Sequence, residues 1–324
     1  MQRRSFLQLA AAASVLLPWT KVSAQSTFPS GPIELVIPFP PGGPTDTAPR
    51  IAVDYLRPLL GNATLVLVNK PGAGGGIAVE YVARSRPDGQ TILATSNPPL
   101  SVRTAIEKKA TYKVEDFTPL GMYAVDTGLL VAHPSAGIRS IEQLIERAKN
   151  NPDQLSYGSA GAGTVTHVST ELLKRVAGIK LVHVPFRGSG PAVQAILGGH
   201  VPLISSAYSA IKPLVERGDM IPLVTTAARR LPTLPDVPTL AEKGFRGAEL
   251  NIWMGYYAPA ATPQPVMQML VRAIAESSRN KDMNAAIERA GMQAEYADPA
   301  GVGQLLQHEH AIVTKLAEAV DLGS

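Results

Sequence analysis

Short runs of β-branched and aliphatic residues alternate along this chain with helix-like stretches, and this alternation limits the fold more than any other feature. IELVIPF at 33–39, TLVLVN at 64–69 and TILATS at 91–96 predict strands. Further strands are expected at 128–132, 155–159, 180–185, 201–205, 222–226 and 252–258. Asp46 to Leu60 reads as a helix stopped by Gly61, and 75–85 as a second helix. From Pro263 to Val320 the pattern is mainly helical, broken near Gly291 and at Asp298-Pro299. Strands alternating with helices imply βαβ units, and so largely parallel sheets covered on both faces. With 324 residues, 45% of them hydrophobic, two α/β domains of about 120–170 residues are expected rather than one very large sheet. Two such domains leave a cleft, and in open parallel sheets ligands sit beyond the carboxyl ends of the strands.

The first 24 residues read as an export signal. MQRR is a charged start, Phe6 to Leu17 is an apolar run, and Val22-Ser23-Ala24 supplies small residues at the positions a signal peptidase reads. The run is too short for a bilayer core of roughly 30 Å. QRRSFLQ at 2–8 is similar to a twin-arginine signal. The mature chain is then expected to begin at Gln25 and to be exported and soluble. Arg3, Arg4 and Lys21 account for three of the net +4 charges, leaving 27 basic against 26 acidic residues. That balance gives no support for nucleic-acid binding. Cysteine is absent, which excludes disulfides, thiolate metal sites and cysteine catalysis. The six histidines show no HExxH or carboxylate-rich spacing, so neither a metal nor another cofactor is expected.

The candidate chemistry lies in the strand-to-helix loops. PFPPGGPTD at 38–46 combines Gly42 and Gly43, which permit a tight turn with exposed backbone, with Thr45 or Asp46 as helix caps. SYGSAGAGTVTH at 156–167 repeats the pattern: a strand ends at Ser159, Gly161 and Gly163 follow, and Thr164 opens a helix. Each loop offers free N–H groups at the positive end of a helix, a receptive place for an anion. Neither is a phosphate loop of the GxxxxGK[ST] kind or a GxSxG nucleophile elbow. VNKPGAGGG at 68–76 is a third glycine loop, and Arg187 in HVPFRGSGPA ends a strand where it could pair with a carboxylate. His167 falls in the first turn of its helix, where it can serve as a structural hydrogen-bond partner or a polar pocket wall.

Taken as a set, these loops resemble the Bug receptors, the solute-binding proteins of tripartite tricarboxylate transporters. The residues that carry the resemblance are PFPPGGPTD (38–46), NKPGAGG (69–75), PDGQT (87–91), SAGAGTVTH (159–167), VPFRGSGPA (184–192), LPDVPTLAEKGF (234–245), and Trp253 with APAATP (258–263). They span nearly all of the mature chain.

The resemblance implies a two-lobed periplasmic-binding fold of type II-like form, each lobe a mostly parallel sheet flanked by helices. Residues 25–126 and 250–324 would form the first lobe and 127–249 the second. It also implies a monomeric periplasmic receptor that closes over a small carboxylate and delivers it to membrane subunits. By the family pattern, Phe39, Gly42, Gly43, Thr45 and Asp46 would serve from the first lobe. Ser159, Gly161, Gly163, Thr164 and His167 would serve from the second, with Arg187 at its edge. Ser96, Asn97, Ser205, Ser206 and Tyr208 follow strands and are specificity positions. The chain departs from the family at Val68-Asn69-Lys70, where Glu-Asn-Arg is usual, at Gln90 in PDGQT, and at Ser206-Ala207, where Asp-Asn is common. The missing acid removes a partner for an ammonium group and favours a ligand without a free amine. Two other readings remain at this level: a receptor that reports to a signalling partner, and an exported hydrolase of small esters or amides using Ser159 with His167.

Overall fold

The computed structural model describes residues 28–107 and 111–318; the expected export signal lies outside them. The order is β1 (Ile33–Ile37), α1 (Pro44–Leu59), β2 (Leu65–Asn69), α2 (Gly76–Ala83), β3 (Thr91–Ser96), α3 (Pro98–Ser101), α4 (Arg103–Ile106), β4 (Phe117–Asp126) and β5 (Gly128–Ala132). There follow α5 (Ile141–Asn150), β6 (Ser156–Ser159), α6 (Val165–Ala177), β7 (Val182–Pro185), α7 (Ser189–Leu197), β8 (Leu203–Ala207), α8 (Tyr208–Glu216) and β9 (Ile221–Thr225). The chain ends with β10 (Ile252–Pro259), α9 (Gln264–Ser277), α10 (Lys281–Arg289), β11 (Gln293–Ala297) and α11 (Pro299–Ala317).

These strands form two sheets, one ordered β11-β4-β10-β3-β1-β2 and the other β7-β6-β8-β5-β9. Strand alternation covers both faces of each. In β1, Ile33, Leu35 and Ile37 pack with Ala48, Ala52 and Leu56 of α1, while Val36 joins Val79 of α2 and Leu306 of α11 on the other face. In β5, Leu130 and Ala132 meet Leu144 of α5 and Val168 of α6, whereas Leu129 and Val131 meet Ile196 of α7 and Ile211 of α8. Burying each such Val, Leu or Ile side chain contributes roughly 1.5–3 kcal/mol.

Both sheets are mixed rather than largely parallel. Parallel strand pairs join β3-β1-β2 and β8-β6-β7; β10 runs antiparallel between β3 and β4, and β5 antiparallel between β8 and β9. Two strands escape the sequence pattern. β4 contains Pro119 and Gly121, and its pairing with β10 shifts register at two places. β11 is a half-exposed edge strand, so its side chains show no buried alternation.

The chain passes from the first sheet to the second at Asp126–Gly128 and returns at Ile252. Asp126 and Ile252 are register partners in the β4–β10 ladder, so the two crossings lie side by side.

Candidate ligand-binding cleft

The β1–α1 loop is shaped by its own first acid. Gly42 takes φ +99°, a conformation that L side chains rarely adopt. This turn aims its N–H at Asp46 Oδ2, 3.3 Å away. Asp46 also accepts from Arg50 Nε at 3.0 Å and from Asn69 Nδ2 at 2.8 Å, and the Asn69 amide group donates to Phe39 O at 2.8 Å as well. Burial pulls the Asp46 carboxyl upward, but the hydrogen bonds from Arg50 and Asn69 outweigh it and hold the group below its ordinary value. Asp46 therefore fixes the loop from behind. What the loop presents forward is Phe39 to Pro41, Gly43 as the cap of α1, Pro44, and Thr45, whose hydroxyl donates to Ser96 Oγ at 3.1 Å.

The second glycine loop is braced in the same manner. Ser159 is fully buried at the end of β6. Its Oγ accepts from Gly161 N at 3.1 Å and lies 2.7 Å from His183 Nε2 on the neighbouring strand β7. The His183 ring is sandwiched, with His167 at 3.9 Å and Tyr157 at 5.0 Å between centroids. Gly163 N donates to His167 Nδ1 at 3.1 Å. Burial pushes His167 down to about 3 and His183 to about 4. Behind the rings, Glu171 accepts from Tyr157 OH at 2.6 Å and Lys174 Nζ at 2.8 Å. Thr164 caps α6, accepting from His167 N, and donates its own proton to Gly161 O at 2.7 Å.

Between the sheets these loops line a cavity that is partly open to solvent. Phe39, Pro40, Pro41, Gly43, Pro44, Thr45, Ser96, Pro98 and Ile252 line it from the first sheet's side. Ala160, Thr164 to Thr166, Arg187 to Pro191 and Ala207 line it from the second. Three helices begin on this cavity: α1 after Gly43, α6 after Thr164 and α7 after Gly188. The first amides of a helix have no intrahelical acceptor, so Thr45, Val165, Thr166, Ser189 and Gly190 present free N–H groups, reinforced by three positive dipole ends. Arg187, exposed and without an ion-pair partner among the described residues, is the single charged residue of the lining. The sheets approach closely at the rim. A methyl group at Gly43 would lie 3.6 Å from Ser189 Oγ, and one at Gly188, which takes φ +113°, the same distance from Pro40.

Of the residues expected from sequence, Phe39, Gly43, Thr45, Ser96, Thr164 and Arg187 line this cavity. Gly42, Asp46, Ser159, Gly161, Gly163 and His167 stand behind it as loop supports. Asn97 faces elsewhere: its amide group donates to both oxygens of Glu309 at 2.8 Å and to Asn251 O at 3.1 Å. Ser205, Ser206 and Tyr208 are buried outside the lining, with Ser206 Oγ on Ala207 O and Tyr208 OH on Thr233 Oγ1. The side chain that reaches the cavity from this segment is Ala207. The pairing of Ser159 with His167 does not form. Parallel strands place His183 opposite Tyr157, two residues before Ser159 and on the same face of β6, while His167 turns to the Gly163 amide. The α7 start at Ser189 was missed, although RGSGPA after a strand carries the same strand-to-helix signal as the other two loops. Among the described residues no three His, Asp or Glu side chains cluster as a metal site, and no helix is long and apolar enough to cross a membrane.

The sequence model of the TctC family, described as the tripartite tricarboxylate transporter family receptor, matches residues 49–322. The chain belongs to this family. It is 33% identical to the protein BugT of Bordetella pertussis over 275 residues, 84% of either chain. Rpa4515 of R. palustris, solved with adipate, superposes with a TM-score of 0.84 at 31% identity, covering 90% of this chain and 98% of that one. MatC of Rhodopseudomonas palustris, solved with malate, gives 0.82 at 29% identity, covering 90% and 100%. The two-sheet architecture of this TctC chain is thus that of two-lobed solute-binding receptors.

Proposed function

We propose that this chain is a periplasmic receptor that takes a small carboxylate into the cleft between its sheets and hands it to the membrane subunits of a tripartite tricarboxylate-type transporter. The observation that carries this reading is the convergence of three helix starts and Arg187 on one cavity whose lining contains no acid. A carboxylate placed there accepts from several free amides at once. Each hydrogen bond to a charged group contributes about 1.5–3 kcal/mol net. Micromolar affinity needs about 8 kcal/mol, so four such bonds and two helix dipoles suffice after the cost of association. The acids bound in the related adipate and malate structures support the same ligand class.

Residues 28–126 with 252–318 act as one lobe and 127–251 as the other. Their hinge is the pair of adjacent crossings at Asp126 and Ile252, and closure seats Pro40 against Gly188 and Gly43 beside Ser189. Residues 1–24 direct export and are removed, and the mature receptor works as a monomer without a cofactor.

A thermal-shift screen of residues 25–324 against mono-, di- and tricarboxylates, amino acids and neutral amides tests the reading. A ligand at 100 times its Kd adds about 2.7 kcal/mol, a shift of several degrees. Stabilisation by carboxylates and not by the amides, lost in Arg187→Ala, is the expected result. Stabilisation by neutral amides alone would overturn it, as would consumption of the added compound.

A further inference from the structure

The polarity of the cleft's hydrogen-bonding groups says more than that its ligand is an anion. We infer that the cleft selects carboxylates with a plain hydrocarbon body and discriminates against their amino- and hydroxy-substituted counterparts. This rests on the cleft being the ligand site, as argued above.

The lining has donors to spare and few acceptors. No carboxylate, carboxamide or imidazole side chain belongs to it. Asp46, the nearest acid in the first loop, is held by Arg50 and Asn69. Several backbone carbonyls around the cavity are already engaged. Phe39 O accepts from Asn69 Nδ2 at 2.8 Å, Ser96 O from Thr95 Oγ1 at 2.9 Å, Ala160 O from Gly188 N at 2.9 Å and Ala207 O from Ser206 Oγ at 3.3 Å. Gly43 O accepts from two amides of its own helix, those of Asp46 and Thr47.

The hydroxyl protons follow from the same bookkeeping. Thr164 gives its proton to Gly161 O, so the 3.0 Å contact between Thr164 and Thr166 must use the proton of Thr166. Thr45 donates to Ser96, which leaves Ser96 with a free proton. A ligand therefore meets free amides, the protons of Ser96 and Ser189, and the Arg187 guanidinium. Its side-chain acceptors are only the hydroxyl oxygens. The remaining lining is hydrocarbon: Phe39, Pro41, Pro98, Val165, Pro191 and Ile252.

A carboxylate, which only accepts, fits this surplus of donors. An ammonium group finds no anionic side chain in the lining and is repelled by Arg187 and by the three positive helix ends. A hydroxyl on the ligand body can reach a Ser or Thr oxygen, but against the proline and isoleucine walls it is buried without a partner. The order of preference is therefore unsubstituted acid over hydroxy acid over amino acid.

Calorimetric titration of residues 25–324 with three matched sets tests this: succinate, malate and aspartate; glutarate, 2-hydroxyglutarate and glutamate; 3-phenylpropionate, phenyllactate and phenylalanine. In whichever sets bind, the unsubstituted acid should bind about tenfold or more tighter than its hydroxy form, and the amino form weakest. Tighter or equal binding of a hydroxy or amino member would overturn the inference while leaving a carboxylate receptor standing. Binding of none of the nine would overturn both. Ser189→Asp supplies an acceptor at the cleft edge and should narrow the unsubstituted-to-amino ratio about tenfold. An unchanged ratio in that folded variant would show that acceptor shortage is not the cause.

Discussion

Glu309, in the last helix, accepts a hydrogen bond from Trp253 Nε1 at 2.6 Å, and both oxygens of the same carboxylate lie 2.8 Å from Asn97 Nδ2. A residue of α11 thus ties the end of β3 to the start of β10, where the chain re-enters the first sheet. Burial pushes the Glu309 carboxyl above its ordinary value against the pull of Asn97 and Trp253. Glu309→Ala leaves two buried donors unpaired at about 1–3 kcal/mol each, so a loss of about 2–6 kcal/mol is expected in denaturant unfolding. Glu309→Gln keeps one acceptor oxygen and should lose less. Equal losses in the two variants would mean that packing, and not hydrogen bonding, sets the cost.

The loop beneath the cavity can be loosened without touching the cavity. Asn69 is not part of the lining, yet it holds both Phe39 O and Asp46. Asn69→Ala should destabilise the protein by about 1–3 kcal/mol and weaken carboxylate binding. Full affinity in a destabilised variant would show that the loop keeps its shape without Asn69.

Closure has its own variant. Gly43 has an ordinary φ of −99°, so Val is tolerated by the backbone, but its branches enter the space beside Ser189 Oγ. Gly43→Val should leave the melting temperature within a few degrees while weakening binding at least about tenfold. Small-angle scattering should show the radius of gyration falling when parent protein is saturated with ligand, and a smaller change in the variant. No change in the parent would remove hinge closure from the mechanism.

Stability should fall on the acid side because of the stacked imidazoles. His167 and His183 stand at about 3 and about 4 in the folded protein, against 6.5 in an unfolded chain. Below pH 6.5 the unfolded state binds protons that the folded state refuses, so their contribution, complete above 6.5, is lost as pH drops towards 4 and then 3. His183→Gln should flatten the stability profile between pH 6.5 and 4. A profile as steep as the parent's would assign the acid sensitivity to other groups.

Asp126 works in the opposite sense. Burial raises it to about 7 from 3.8, against the bonds from Ser209 and the Thr127 amide. Between those values the folded protein keeps a proton that the unfolded chain has released, so this group lowers stability as pH rises from about 4 to 7. Asp126→Asn should remove that decline and show its largest relative stabilisation above pH 7. A constant difference from the parent across this range would place the folded value near the unfolded one.

Much of this protein is determined locally and so can be read from the sequence. Hydrophobic periodicity marks the strands of both sheets except β4 and β11, and a glycine-rich turn after a strand marks the loops at 38–46 and 159–164, because turn and cap chemistry depends on neighbours a few residues away. Which residues of those loops face the cavity was decided only by tertiary structure. Asp46 turns back because Arg50 and Asn69 sit beside it, Ser159 meets His183 because β6 and β7 lie parallel, and Asn97 is claimed by Glu309 more than two hundred residues later. A polar side chain near a cleft goes to whichever partner satisfies its hydrogen bonds most fully, and those partners arrive from distant parts of the chain. The mixed pairing of the sheets has the same origin. The return of β10 between β3 and β4 is a long-range choice, which the local pattern of β10 itself does not encode.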